Sequence, residues 1–338
     1  MKFLACVFCF LAVGIATAQV PTPPQQAAAL QKRLSTLILP NVAFQDATLG
    51  EAVEYLRLKC READSNENPT ARGFNFVLLT TSEKPLTLQL RAVPAAEAVR
   101  LITELTGLSY IVEPHAIVIG PKGFQMRNPP PKLIAVQGQE AVWQRVILPT
   151  VQFEKATIEE AAEYLSDSIR HACDPADGRP AFNIVLKPNP DLAGRQFSID
   201  LKNTPTSDVL RYFAELSGLK LRYDREAIVL SPEGAEVGQI ALRGKAAEKL
   251  RADQIVLPTV VFFEVSPADV VAFVRQKSAE VDPAKKGVNV VLAPGIDPKA
   301  VCSLDVRRMT VTEVLRYAAG LMNLKLSVDD HAFLLAPK

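Results

Sequence analysis

The sequence predicts an α/β protein of the α+β kind: three tandem small two-layer domains, each running strand, helix, strand, strand, helix, strand, strand. Three observations carry this. Four landmark segments recur in the same order three times. Within each copy the apolar pattern switches between alternation and helical spacing. Helix start and stop residues fall at matching places in all three. Residues 37–44 (LILPNVAF) return as 146–153 (VILPTVQF) and 255–262 (IVLPTVVF), with Pro40, Pro149 and Pro258 each 109 residues apart. Residues 74–79 (FNFVLL) return at 182–187 and 288–293, and LTGLSY at 105–110 returns at 216–221 and 321–326. AIVIGPK, AIVLSPE and AFLLAPK close the units from Ala116, Ala227 and Ala332. This period is longer than the roughly 20–50 residues of solenoid repeats, so it reads as tandem domains. They are placed at 35–122, 145–233 and 254–338, with linkers at 123–144 and 234–253.

Each element follows from its residues. In the first strand Val42 and Phe44 share one face, and Pro40, lacking an N–H, belongs at a strand start or edge. Thr48 with Glu51, Thr157 with Glu160, and Ser266 with Asp269 are helix starts: the hydroxyl takes an orphan N–H and the carboxylate reaches back. Pro267 sits where a helix needs no donor. In the second unit Ile158, Ala161, Ala162, Leu165 and Ile169 fall on one helical face. A polar loop, the FNFVLL strand and an alternating third strand (86–90, 197–201, 302–306) follow. The second helix begins near Pro94, Pro205 or Thr310 and stops at Gly107, Gly218 or Asn323, residue types that accept a left-handed backbone. Two short strands with a polar hinge finish the unit. Strand pairing does not follow from periodicity. Pro129-Pro130-Pro131 reads as a stiff linker stretch, and residues 245–254 and 27–37 favour helix, so each unit is given a short leading helix. The units are expected to fold separately.

Residues 1–18 read as a secretory signal peptide: Lys2, an apolar run from Phe3 to Ile15, and an Ala16-Thr17-Ala18 cleavage site. Residues 19–34 are a helical lead-in. The expected location is periplasmic or secreted, with no integral membrane segment once the signal is removed. The full chain has 38 Lys and Arg against 37 Asp and Glu. That balance argues against nucleic acid as a partner held by bulk charge. Cys60, Cys173 and Cys302 remain after signal removal, too few for a disulfide framework and better read as small buried hydrophobes.

Candidate chemistry is sparse. No phosphate loop, nucleophile elbow or zinc motif occurs, so no catalytic residue, cofactor or metal is assigned. His115 and His331 read as solvated hairpin-turn residues, and His171 beside Cys173 is too little for a metal site. Arg100, Arg211 and Arg316 recur three residues after Glu97, Asp208 and Glu313. The plain reading is an i,i+3 ion pair, and the sharper one is a repeated cationic partner contact. Asn75, Asn183 and Asn289 recur at the start of the second strand, where they satisfy loop backbone or, on the sharper reading, contact a partner. Exposed sheet edges offer a further route to partners through backbone pairing.

Residues 197–233 (FSIDLKNTPTSDVLRYFAELSGLKLRYDREAIVLSPE), their copy at 302–338, and the looser copy at 86–122 carry a resemblance. Each unit resembles the short N-terminal domain shared by secretins and TonB-dependent signalling receptors, an STN-like domain. The resemblance covers most of all three units but not the linkers. It implies two-layered α/β modules of the bacterial envelope that act by contacting other proteins and not by catalysis. No run of barrel strands follows the third unit, so an adaptor or scaffold is expected in place of a pore. The alternatives are a periplasmic small-ligand or cell-wall glycan binder, and an accessory component of a secretion or TonB-linked system.

Overall fold

The computed structural model describes residues 22–82, 84–128, 139–172, 182–297 and 299–338. The signal-peptide expectation on 1–18, the Pro129–Pro131 stretch and Cys173 lie outside them. The content is α+β, as expected. A helix α1 (Pro23–Thr36) precedes the first repeat: β1 (Ile38–Ala47), α2 (Leu49–Ala63), β2 (Phe76–Leu78), β3 (Leu86–Pro94), α3 (Ala95–Thr106), β4 (Leu108–Val112) and β5 (Ile117–Pro121). The second has α4 (Gln139–Arg145), then β6 (Ile147–Ala156), α5 (Ile158–Ala172), β7 (Ile184–Leu186), β8 (Phe197–Pro205), α6 (Thr206–Leu216), β9 (Lys220–Tyr223) and β10 (Ile228–Ser231). The third is led by β11 (Ala241–Leu242) and α7 (Ala247–Ala252). It continues with β12 (Val256–Val265), α8 (Pro267–Val281), β13 (Val290–Leu292), β14 (Cys302–Thr310), α9 (Val311–Leu321), β15 (Leu324–Val328) and β16 (Phe333–Pro337).

Every repeat splits its strands between two sheets. The first and third form a long antiparallel ribbon: β1 with β3, β6 with β8, β12 with β14. The second lies parallel to the last, which pairs antiparallel with its hairpin partner. Helix starts follow the hydroxyl signal: Thr48 and Thr157 close capping boxes with Glu51 and Glu160. Gly107, Gly218 and Asn323 take the left-handed conformation after the second helix.

Each ribbon also carries two left-handed residues that are not glycine: Asp46 with Ala92, Lys155 with Asn203, and Glu264 with Arg308. The first of each pair sits in a bulge where the register shifts. A hydroxyl on the paired strand accepts the bulge N–H in all three copies: Thr87, Ser198 and Ser303 at 3.0, 2.9 and 3.0 Å.

The cores are not confined to single repeats. Val77, Ala116 and Val118 of the first repeat pack into the core of the second, around Trp143, Tyr212 and Phe213. Their counterparts Val185, Ala227 and Val229 pack into the core of the third, around Tyr317. The expectation of separately folding units is therefore revised to a continuous stack. The linkers are revised too. Trp143, placed in the linker by sequence, is fully buried and meets Phe182 edge-on at 4.9 Å. Phe124 and Met126 lie against the second core, and β11 adds to the third repeat's sheet beside β15.

Candidate functional site

The two repeated residue sets that stand out in the sequence meet at the junctions between repeats. At the first junction the Asn75 amide donates to the His115 carbonyl of its own repeat at 2.9 Å and to the Lys202 carbonyl of β8 at 3.0 Å. Its oxygen accepts the Lys202 N–H at 3.0 Å. At the second junction Asn183 repeats this geometry: donation to Glu226 and Arg307 carbonyls at 3.0 Å each, and acceptance from the Arg307 N–H at 2.8 Å. Each asparagine satisfies its own loop, as the sequence suggested. It also pairs with both backbone groups of one residue on the neighbouring ribbon edge, as a partner strand would. Asn289, the third copy, donates to the His331 carbonyl at 3.1 Å and is exposed.

The arginines add a second contact. Arg211 holds Asp208 at 2.8 Å, the expected i,i+3 pair, and lies 2.9 Å from Glu113 on the hairpin of the preceding repeat. It is 3% exposed. Arg316 pairs with Glu313 and reaches Asp224, the counterpart of Glu113, at 3.2 Å. Arg100 pairs with Glu97 and Glu104 on its own helix and is exposed. A third contact was not visible in the sequence. Arg57 on α2 binds the Asp200 carboxylate at 2.8 Å, and Arg170 on α5 binds its counterpart Asp305 at 2.8 Å. The two arginines occupy non-equivalent helical positions, which hides the match. The recurrence of Asp200 and Asp305 with Gln89 at the same place was the available signal.

His115 corrects the reading as a solvated turn residue. It lies in the first junction, 3.4 Å from Asp208, and burial holds its imidazole below the ordinary range despite that carboxylate. His331 is exposed, and His171 contacts the Asp167 carbonyl one helical turn away. Among the described residues no group of His, Cys, Asp and Glu could hold a metal ion. Cys60 and Cys302 are free and buried, and burial pushes both thiols up to about 12.

A polar cavity beside Arg211 is lined by Asn128, Glu140, Ser207, Asp208 and Tyr223. Ser207 Oγ and Tyr223 Oη have no hydrogen-bond partner among the described residues. Elsewhere, on the outer face of β12, Val261 is 63% and Phe263 is 81% exposed. The matching residues of the other repeats are Ala43 and Gln45, and Gln152 and Glu154. No helix among the described residues is long and apolar enough to cross a membrane. Comparison with family models, with curated proteins and with solved structures finds no match for this chain.

Proposed function

We propose that this is a non-catalytic, exported adaptor of a bacterial envelope, built from three STN-like repeats, which binds another protein along the β12 edge of its third repeat. The observation that carries the reading is the apolar pair Val261 and Phe263. Exposed large apolar side chains on the outer face of a strand with no second strand partner among the described residues are what a partner strand or helix covers, and they are otherwise an aggregation hazard. The repeats that lack the pair place polar residues or alanine there, so the feature is specific to one copy. A photo-reactive residue at position 263 should cross-link one protein partner in the native envelope. Val261→Asp beside that probe should abolish capture and leave the melting curve unchanged. Recovery of no protein above control overturns the reading. Export predicts a mature chain beginning at Gln19, read by N-terminal sequencing.

The polar cavity beside Arg211 favours a second reading, a small polar ligand held by the second repeat and the chain that leads into it. Glycan stacking gains nothing from Trp143, which is buried. A screen of small polar metabolites for a rise in melting temperature, lost in Tyr223→Phe and Ser207→Ala, tests this alternative.

A further inference from the structure

The two internal junctions are built alike, and the faces that make them recur at the two ends of the stack, where no neighbouring repeat covers them among the described residues. We propose that a second copy of this chain docks head to tail, the third repeat of one copy seating on the first repeat of the next through the same contact set. The occupant is argued from continuity with the internal junctions and from charge. On the third repeat, Asn289 donates to the His331 carbonyl as Asn75 and Asn183 do to theirs, leaving its outer face open. Arg275 holds the Val290 carbonyl at 2.7 Å, as Arg57 holds that of Phe76. Asp329 stands where Glu113 and Asp224 meet the next repeat's arginine. Val291 is 45% exposed, whereas its counterparts Val77 and Val185 are 2% and 0% exposed.

The first repeat carries the complementary half. Arg100 matches Arg211 and Arg316, which keep their i,i+3 acid while reaching the preceding hairpin, so Arg100 can keep Glu97 and still meet Asp329. Arg91 on β3 matches Lys202 and Arg307, the residues whose N–H and carbonyl take the asparagine. Gln89 replaces Asp200 and Asp305, so Arg275 meets a neutral amide in place of a carboxylate. The contact between copies also lacks the covalent linker that straps each internal junction. Both differences make it weaker than the internal ones and reversible. The surfaces joined are different on the two copies, so the interface is heterologous and grows into an open chain or a closed ring instead of stopping at a dimer. This assembly does not involve the β12 strip and stands or falls separately from partner capture.

Sedimentation of the full purified chain from about 1 μM to about 1 mM tests it. The average mass should rise with concentration past that of a dimer. Arg100→Glu puts a like charge opposite Asp329, and Val291→Glu puts a charge in the apolar seat; each should weaken association by roughly tenfold or more. Both positions are exposed in the single chain, so unchanged melting curves report intact folding. Mixing the two variants gives the decisive readout. One supplies an intact third-repeat face and the other an intact first-repeat face, so the mixture should form a one-to-one dimer that grows no further. A wild-type chain that stays monomeric to the top of the range overturns the proposal. So does a wild-type chain that associates while the mixed variants do not pair.

Discussion

The two junctions use one contact plan with different surroundings. At the first, Arg211 is 3% exposed and sits between Asp208 and Glu113, with His115 and the polar cavity alongside. At the second, the side chain of Arg316 is 21% exposed and shares Asp224 with the Tyr317 hydroxyl. The straps differ as well. Asn128 crosses α6 and binds Glu215 through its side chain at 3.1 Å. At the second junction the chain at Val237 and Gly238 runs so close to α9 that a Cβ on Gly320 would lie 2.9 Å from its backbone. Ion pairs cross both junctions, more deeply buried at the first, and at the second the connecting chain adds close backbone contact and a strand pairing to the third repeat. The same repeated residues should therefore carry different weights in the two places.

The largest expected effect concerns the middle repeat, which both neighbours enclose. Every residue of α6 is buried. Residues 145–233 expressed alone lack Trp143 and the cover of the first repeat, so they should melt without a cooperative transition, whereas residues 22–233 should unfold cooperatively in calorimetry. Next come the arginines. Arg211→Ala leaves two buried carboxylates without their cation and should cost about 3–5 kcal/mol in denaturant unfolding. Arg316→Ala should cost about 1.5–3 kcal/mol, because water reaches its partners. Equal losses would show that the difference in burial has no energetic meaning.

The asparagines give a smaller contrast. Asn75→Ala and Asn183→Ala should each cost about 1–3 kcal/mol, since each strands a backbone N–H and carbonyl on the next ribbon. Asn289→Ala, at an open face, should stay within about 0.5 kcal/mol in the monomer. The smallest effect is on pH. The folded His115 imidazole is held below its unfolded value of 6.5, so its contribution is complete above that pH and is lost as the pH falls through the folded value. His115→Gln should flatten this part of the stability profile; an unchanged slope would place the titrating group elsewhere.

Much of each repeat was legible in the sequence because local rules fix it. The Thr48 and Thr157 capping boxes, and the left-handed stops at Gly107, Gly218 and Asn323, depend on residues close in sequence. The ribbon pairing was not legible, because alternation gives a face and no partner. The bulges at Asp46, Lys155 and Glu264 were hidden because none is a glycine; their stabilising hydroxyls lie about forty residues away on the paired strand. The pairing of Arg100, Arg211 and Arg316 with the acid three residues before follows from local helical spacing. That pair masked the longer reach to Glu113 and Asp224, which lie on a different repeat.

The asparagine bridge has a consequence for solubility. A ribbon of two strands has an outer edge whose N–H and carbonyl groups can recruit another chain indefinitely. In β8 and β14 one amide side chain takes both backbone groups of a residue in mid-edge, which a foreign strand would need to pair there. Loss of Asn75 or Asn183 would thus do more than loosen the stack: it would unseal a template, and such variants should precipitate on warming before they have fully unfolded.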